Sequence, residues 1–220
     1  MESKMLERTL ISSTAALGIN CMKRFMFVTA FFVGHVMIST DLLRGEVICG
    51  DWLEGGVREC HVGINSSLED LAATQEQSAW CWAACISMIF GYYGHPVRQE
   101  MIVTEAWGAP VNLPALPLQI VASLNRVWID ENGNAFQVRG DALTANAFTA
   151  AQDLAADHPL IVGSLNHAMI LTGERYLVDR LGESQLASAT VCDPWPGRGE
   201  RYLKPEEWRY IQFAIRIRVF

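Results

Sequence analysis

Residues 78–94 read Ser-Ala-Trp-Cys-Trp-Ala-Ala-Cys-Ile-Ser-Met-Ile-Phe-Gly-Tyr-Tyr-Gly, a proline-free run whose length predicts a helix and whose side chains are apolar on nearly every face. A helix apolar all round cannot lie on a surface, so the rest of the chain must pack around this one. Ser78 is placed to cap its start by accepting a backbone N–H, and Gly94 to end it in the left-handed conformation.

Further helices are expected over residues 98–107, over 115–125 after Pro114, and over 145–156, the last closed by His158-Pro159. The period then changes. Residues 127–130 and 135–138 flank Glu131-Asn132-Gly133-Asn134, and Asn-Gly between β-prone runs predicts a hairpin. Short strands follow at 160–165, 168–172, 175–178 and 189–192. Phe213, Ile215, Ile217 and Val219 alternate with polar residues in the period of a half-buried strand. Residues 46–71, with Gly55-Gly56 and scattered charges, read as a loop wrapping the surface. Helices followed by antiparallel strands give an α+β class, and no linker divides the 220 residues into independent domains.

Half of the chain is apolar and 19 % is charged, which suits a folded core. A net charge of −7 excludes non-specific nucleic-acid binding, which needs clustered Lys and Arg. From Met22 the chain runs basic, then apolar over 26–38, then small and polar at Ser39-Thr40, the layout of a secretory signal. The apolar run is too short for a stable membrane anchor. If translation starts at Met22, residues 1–21 precede the leader. The expected organisation is a leader over 1–45, a loop-rich or pro-like segment over 46–74, and a folded domain over 75–220, secreted or periplasmic and monomeric. Beyond the leader stand Cys49, Cys60, Cys81, Cys85 and Cys192. In an exported protein an odd thiol is a candidate reactive one, and Cys81 is the natural odd one out. Cys49 and Cys60 bracket a short Gly-rich loop and can close it, leaving Cys85 with Cys192, although four cysteines allow three connectivities.

Cys81 lies near the start of the apolar helix, where unsatisfied N–H groups favour a thiolate. The same position also suits a buried structural cysteine, and Cys85, one turn on, reads as one. A nucleophilic thiol needs a base. Of the five histidines, His35, His61, His95 and His158 lie in the leader, a loop, past a helix and before a proline, whereas His167 stands between two apolar β-prone runs. The imidazole needs a carboxylate to fix its tautomer. Asp193, opening the stiff Asp193-Pro194-Trp195-Pro196-Gly197 turn, is the candidate, and Asp179 its rival. An oxyanion donor is offered by Gln75, with Gln77 as rival. Cys81 and Cys85 lack zinc-ligand or redox spacing, and no cofactor or metal is implied.

Taken together, Gln75 with Trp80-Cys81-Trp82-Ala83-Ala84, Asn166-His167-Ala168-Met169-Ile170-Leu171-Thr172-Gly173 and Asp193-Pro194-Trp195-Pro196-Gly197 resemble the papain-like cysteine peptidases. The likeness is to the compact bacterial branch of AvrRpt-type effector peptidases of plant pathogens, and it spans residues 75–220. The resemblance implies a helical lobe with the nucleophile helix packed against an antiparallel β-sheet lobe, a cleft between them, and a protein or peptide substrate. Cys81 would attack a carbonyl, His167 shuttle the proton, Asp193 orient His167 and Gln75 help bind the oxyanion. Two positions depart from the family pattern. Asn166 stands where many relatives have glycine, narrowing access to the base, and Cys85 occupies a position usually small and inert. The same triad also suits an amidase, deamidase or transglutaminase, and the cleft alone suits a non-catalytic peptide-binding module. Residues 111–117 and 181–188 are the expected subsite loops.

Overall fold

The computed structural model describes residues 47–65, 68, 72–144 and 146–220; the leader lies outside them. In chain order the elements are β1 (Ile48–Cys49), β2 (Val57–Gly63), α1 (Cys81–Tyr92), α2 (Gln99–Trp107), α3 (Pro117–Leu124), β3 (Val127–Ile129) and β4 (Ala135–Leu143). They continue with α4 (Ala147–Ala155), β5 (Leu160–Ser164), β6 (His167–Asp179), β7 (Ser184–Asp193), β8 (Gly199–Tyr202), α5 (Pro205–Arg209) and β9 (Ile211–Val219). This is a mixed helix and antiparallel-sheet fold. One sheet runs β1-β2-β6-β5-β9-β4-β3, and β7 leaves this path to pair with β6 and β8.

Each face of the sheet buries a separate core. On the first, Trp82, Cys85, Ile86, Ile89 and Phe90 of α1 pack against Ile170, Ile215 and Ile217 of the sheet, with Ile102 of α2 and Ile120 of α3. On the second, Ala151 and Leu154 of α4 cover Val162, Met169, Leu171 and Val191. The apolar helix is therefore enclosed as its composition requires, by the sheet on one side and two helices on others.

Several boundaries move. The buried helix begins at Cys81, three residues after Ser78, with Trp80 at its N-cap and no side-chain cap. Ser78 Oγ instead accepts from Asn112 Nδ2 at 2.9 Å. At the other end Gly94 has φ +82°, its N–H reaches Gly91 O and the His95 N–H reaches Phe90 O, the paired bonds of a Schellman cap. The third helix starts at Pro117 rather than beyond Pro114. Residues 57–63 are not a surface loop: β2 pairs with β6 along all seven residues, which satisfies backbone groups that charged side chains had disguised as loop. The strands expected at 168–172 and 175–178 are one strand, β6, whose register against β7 shifts between Leu171 and Gly173. The Cys49–Cys60 disulfide is present, joining residues directly opposite on β1 and β2. The Cys85–Cys192 bond is not: both are thiols, and Cys192 Sγ lies 3.8 Å from Met88 Sδ.

Candidate active site

Starting α1 at Cys81 makes that residue the first of the helix, where the N–H groups of the opening turn have no intrahelical acceptor and the helix dipole is felt most. The preceding segment is held from across the chain. Trp80 Nε1 donates to Val111 O at 2.9 Å, Trp82 Nε1 to Leu113 O at 3.3 Å, and the Ala79 N–H to Asn112 Oδ1 at 2.9 Å. Residues 111–113 are thereby tied to the start of the helix.

His167 is the first residue of β6, reached through the two-residue turn Leu165-Asn166 in which both residues have positive φ, 51° and 62°. This is the backbone of a type I′ hairpin, and asparagine is among the few non-glycine residues that adopt it readily, so Asn166 suits this turn. Asp193 ends β7. In the β6–β7 pairing Ile170 lies opposite Cys192, which brings residues 26 apart in sequence to the same end of two neighbouring strands.

The result is a dense polar cluster. His167 Nε2 donates to Asp193 Oδ1 at 2.6 Å, and Cys81 lies close enough to His167 for each to shift the other's pKa. Trp195 packs edge-on to the imidazole at 6.0 Å. Asp193 is 2 % exposed, yet its carboxylate is fully partnered. Besides His167, Oδ1 accepts the Trp195 N–H at 2.9 Å, and Oδ2 accepts Arg201 Nε at 2.9 Å and Arg198 Nη1 at 3.2 Å. The rival Asp179 caps the β6–β7 turn, accepting the Leu181 and Glu183 N–H groups at 2.8 Å each.

Burial alone would raise the Cys81 thiol, but hydrogen bonds from His167 and the Ala168 N–H and the charge of His167 bring it below the ordinary 9. Burial also works against the imidazolium; the Asp193 and Cys81 bonds outweigh it and push His167 up to about 9. Burial would raise Asp193 too, and the bonds from His167, the Trp195 N–H and Arg201 hold it well below the usual carboxylate range. The shifts therefore run down for Cys81, up for His167 and down for Asp193. Cys85 behaves oppositely: complete burial and the nearby Cys81 keep it a neutral thiol.

Gln75 is next to this cluster, its N–H donating to Pro194 O at 2.8 Å. Its side-chain donors are occupied by Gln77 O at 2.9 Å and Ser78 O at 3.0 Å, and Oε1 is buried with no partner among the described residues. Gln77 contributes that carbonyl while its side chain is exposed. Among the other histidines, His95 is stacked on Phe136 at 4.3 Å and bonded to Asp130 at 3.0 Å, a structural role.

Cys81 and His167 open onto a cavity of about 350 Å³. Pro114, Leu116 and Ile120 wall it from the segment before and within α3, Gly163 and Phe213 from the sheet, and Asn166 from the turn between β5 and β6. Residues 181–188 take no part in lining it: from Ser184 onward they belong to β7. Arg198 and Arg201 were not anticipated from the sequence. The signal was present, since Pro194 to Gly197 is a turn and reading residues 191–202 as a hairpin puts Arg201 opposite Val191, on the face and at the end that Asp193 occupies.

The site thus gathers a helix-borne thiol, a strand-borne imidazole and a buried carboxylate on an α+β frame. The comparison with known families is more specific: residues 64–204 match the family of the papain-like cysteine protease AvrRpt2, and the chain belongs to that family. No curated protein sequence matches the chain. Among solved structures it is similar, at 18 % identity and a TM-score of 0.44, to the peptidase domain of Streptococcus ComA, a bi-functional ABC transporter involved in quorum sensing. That similarity covers 66 % of this chain and 95 % of the other. It is also similar to UfSP from C. elegans, at 16 % identity and a TM-score of 0.40, over 84 % of this chain but only 36 % of UfSP.

Proposed function

We propose that the chain hydrolyses peptide bonds with Cys81 as nucleophile, His167 as acid and base, and Asp193 as the group that orients His167. The observation that carries this reading is the 2.6 Å bond from His167 Nε2 to buried Asp193, with Cys81 and His167 lining one cavity. The Cys81 thiolate adds to the scissile carbonyl carbon; the tetrahedral oxyanion collapses to a thioester as His167 gives its proton to the departing amine. His167 then takes a proton from water, which attacks the thioester and releases the acid. The first oxyanion donor is the Cys81 N–H, free of any intrahelical acceptor at the helix start. Gln75 is the second, and in this role it exchanges one of its carbonyl acceptors for the substrate oxygen. The apolar cavity fits an apolar side chain close to the scissile bond.

In this reading α1 is the nucleophile helix of one lobe, the sheet end is the other, and the cavity is the cleft. The folded unit includes β1 and β2, so the domain extends upstream of Gln75 into what reads as a pro-like segment, with the leader confined to residues 1–45. A monomer exported through the Met22 signal is proposed, supported by the Cys49–Cys60 disulfide.

The test is the pH dependence of iodoacetamide labelling, read by intact mass, alongside turnover of a peptide library. Cys81 is expected to label well below the ordinary thiol range, and His167→Ala to return it there. Cys81→Ala is expected to abolish both labelling and peptide cleavage. Slow labelling spread over several cysteines would refute the triad; fast Cys81 labelling with release of ammonia in place of peptide cleavage would refute the peptidase assignment in favour of an amidase.

A further inference from the structure

Asp193 is a costly group to keep ionised: its side chain has no contact with solvent, and an unpaired carboxylate there would take up a proton or turn away from His167. Two cations approach it, but unequally. Arg198 is half exposed, sits at 3.2 Å from Oδ2 and leans over Trp195. Arg201 is mostly buried, approaches the same oxygen with Nε at 2.9 Å, and has every other donor engaged. Its Nη1 and Nη2 bond the two oxygens of Glu207 at 2.8 and 2.7 Å, Nη1 also reaches Tyr202 O at 3.1 Å, and Nη2 lies 3.2 Å from Met169 Sδ. Such a fork has one geometry.

Glu207 is itself fixed. It is the third residue of α5, and its Oε2 accepts the N-cap Lys204 N–H at 2.9 Å. Its backbone carbonyl accepts from Ser164 Oγ, and Ser164 pairs with His167 across the Leu165-Asn166 turn. The contacts close a ring: His167, Asp193, Arg201, Glu207, Ser164 and back to His167.

Building on the triad reading above, we infer that Arg201, held by Glu207, is the positioning residue that keeps Asp193 ionised and turned toward His167. It touches neither the thiol nor the cavity. Its effect passes through Asp193 to the imidazole, and the α5 segment therefore belongs to the catalytic apparatus although it lies outside the cleft.

The experiment uses Arg201→Met and Glu207→Gln in the full chain, with thermal unfolding to confirm the fold. Arg201→Met is expected to lower kcat roughly 10- to 100-fold, the worth of one charge-assisted hydrogen bond, with KM nearly unchanged. Glu207→Gln keeps the arginine and an acceptor for the Lys204 N–H while loosening the fork, and is expected to act in the same direction by less; it carries the test if Arg201→Met does not fold. The diagnostic readout is the alkaline limb of Cys81 labelling and of kcat. With Asp193 misdirected, His167 loses its proton more easily and the limb moves down from about 9. Mere removal of a neighbouring cation would move it up, and a purely structural role would leave it in place, so either result overturns the inference. Wild-type protein without fast, His167-dependent labelling would refute the triad itself; fast labelling in wild type with both variants unchanged would refute only the role of Arg201.

Discussion

Replacing Glu174 by glutamine examines a carboxyl group that the sheet buries without partners. Glu174 is 3 % exposed, both its oxygens are buried with no hydrogen-bond partner among the described residues, and its cross-strand neighbours Val62 and Ala189 belong to the second core. Burial alone pushes its pKa from the ordinary 4.5 up to about 8. Between these values the folded protein holds a proton that the unfolded chain has released. Stability must therefore fall as pH rises, by about 1.4 kcal/mol per pH unit, to a total of about 5 kcal/mol above the folded pKa. Below the unfolded pKa nothing is lost. Glutamine has the shape of the protonated acid and never ionises, so the variant should match wild type near about pH 4 and exceed it by several kcal/mol near about pH 9. Urea unfolding of both proteins across this range reads the difference, because titrations remote from Glu174 are common to the two. A difference that stays flat with pH, or that favours wild type increasingly as pH rises, would refute the burial argument.

Gly163 faces Phe213 across β5 and β9, and a Cβ added there would come within 2.0–2.7 Å of three atoms of the Phe213 ring. Gly163→Ala should cost about 1–3 kcal/mol by overpacking and, because Phe213 walls the cavity, raise KM more than it slows Cys81 labelling; an unchanged melting temperature and KM would contradict it. The Cys49–Cys60 bond spans 11 positions, so Cys49→Ser with Cys60→Ser should lower stability by about 3 kcal/mol through a freer unfolded chain, measured by urea unfolding without loss of the labelling profile. The same bond also bears on export: protein recovered outside the producing cells should be oxidised at Cys49 and Cys60 and lack the leader, and a reduced, full-length form found only inside would refute export.

The residues of the proposed triad were legible because each is written into a local pattern. Cys81 lies in a run too apolar to be anywhere but inside, His167 between two strand-forming runs, and Asp193 in a turn stiffened by two prolines. What was not legible depends on pairing between distant segments. Residues 57–63 look like a loop one by one, and become a strand only because β6 offers them seven paired positions. Ser78 has the right side chain for an N-cap, but Asn112 takes its oxygen and the tryptophan bonds to Val111 and Leu113 fix the helix start at Cys81. Gln75 was readable as a neighbour of the site but not as one whose donors are held by Gln77 and Ser78.

The register shift in β6 explains how one strand serves both the site and the second core. Up to Leu171 alternation is strict: Ala168 and Ile170 face α1, while Met169 and Leu171 face α4. By the same alternation His167 falls in the parity of Met169 and Leu171, and Asp193 in that of Val191. Strict alternation continued would put Glu174 on the α1 face with Ile170. The shift between Leu171 and Gly173 inserts one residue and turns Glu174 toward Val62 and Ala189 instead. A bulge absorbs a change of parity without moving the paired residues before it. The His167–Asp193 register is therefore insulated from the half of β6 that pairs with β2, and the buried carboxyl of Glu174 is the consequence of that insulation on the far side of the shift.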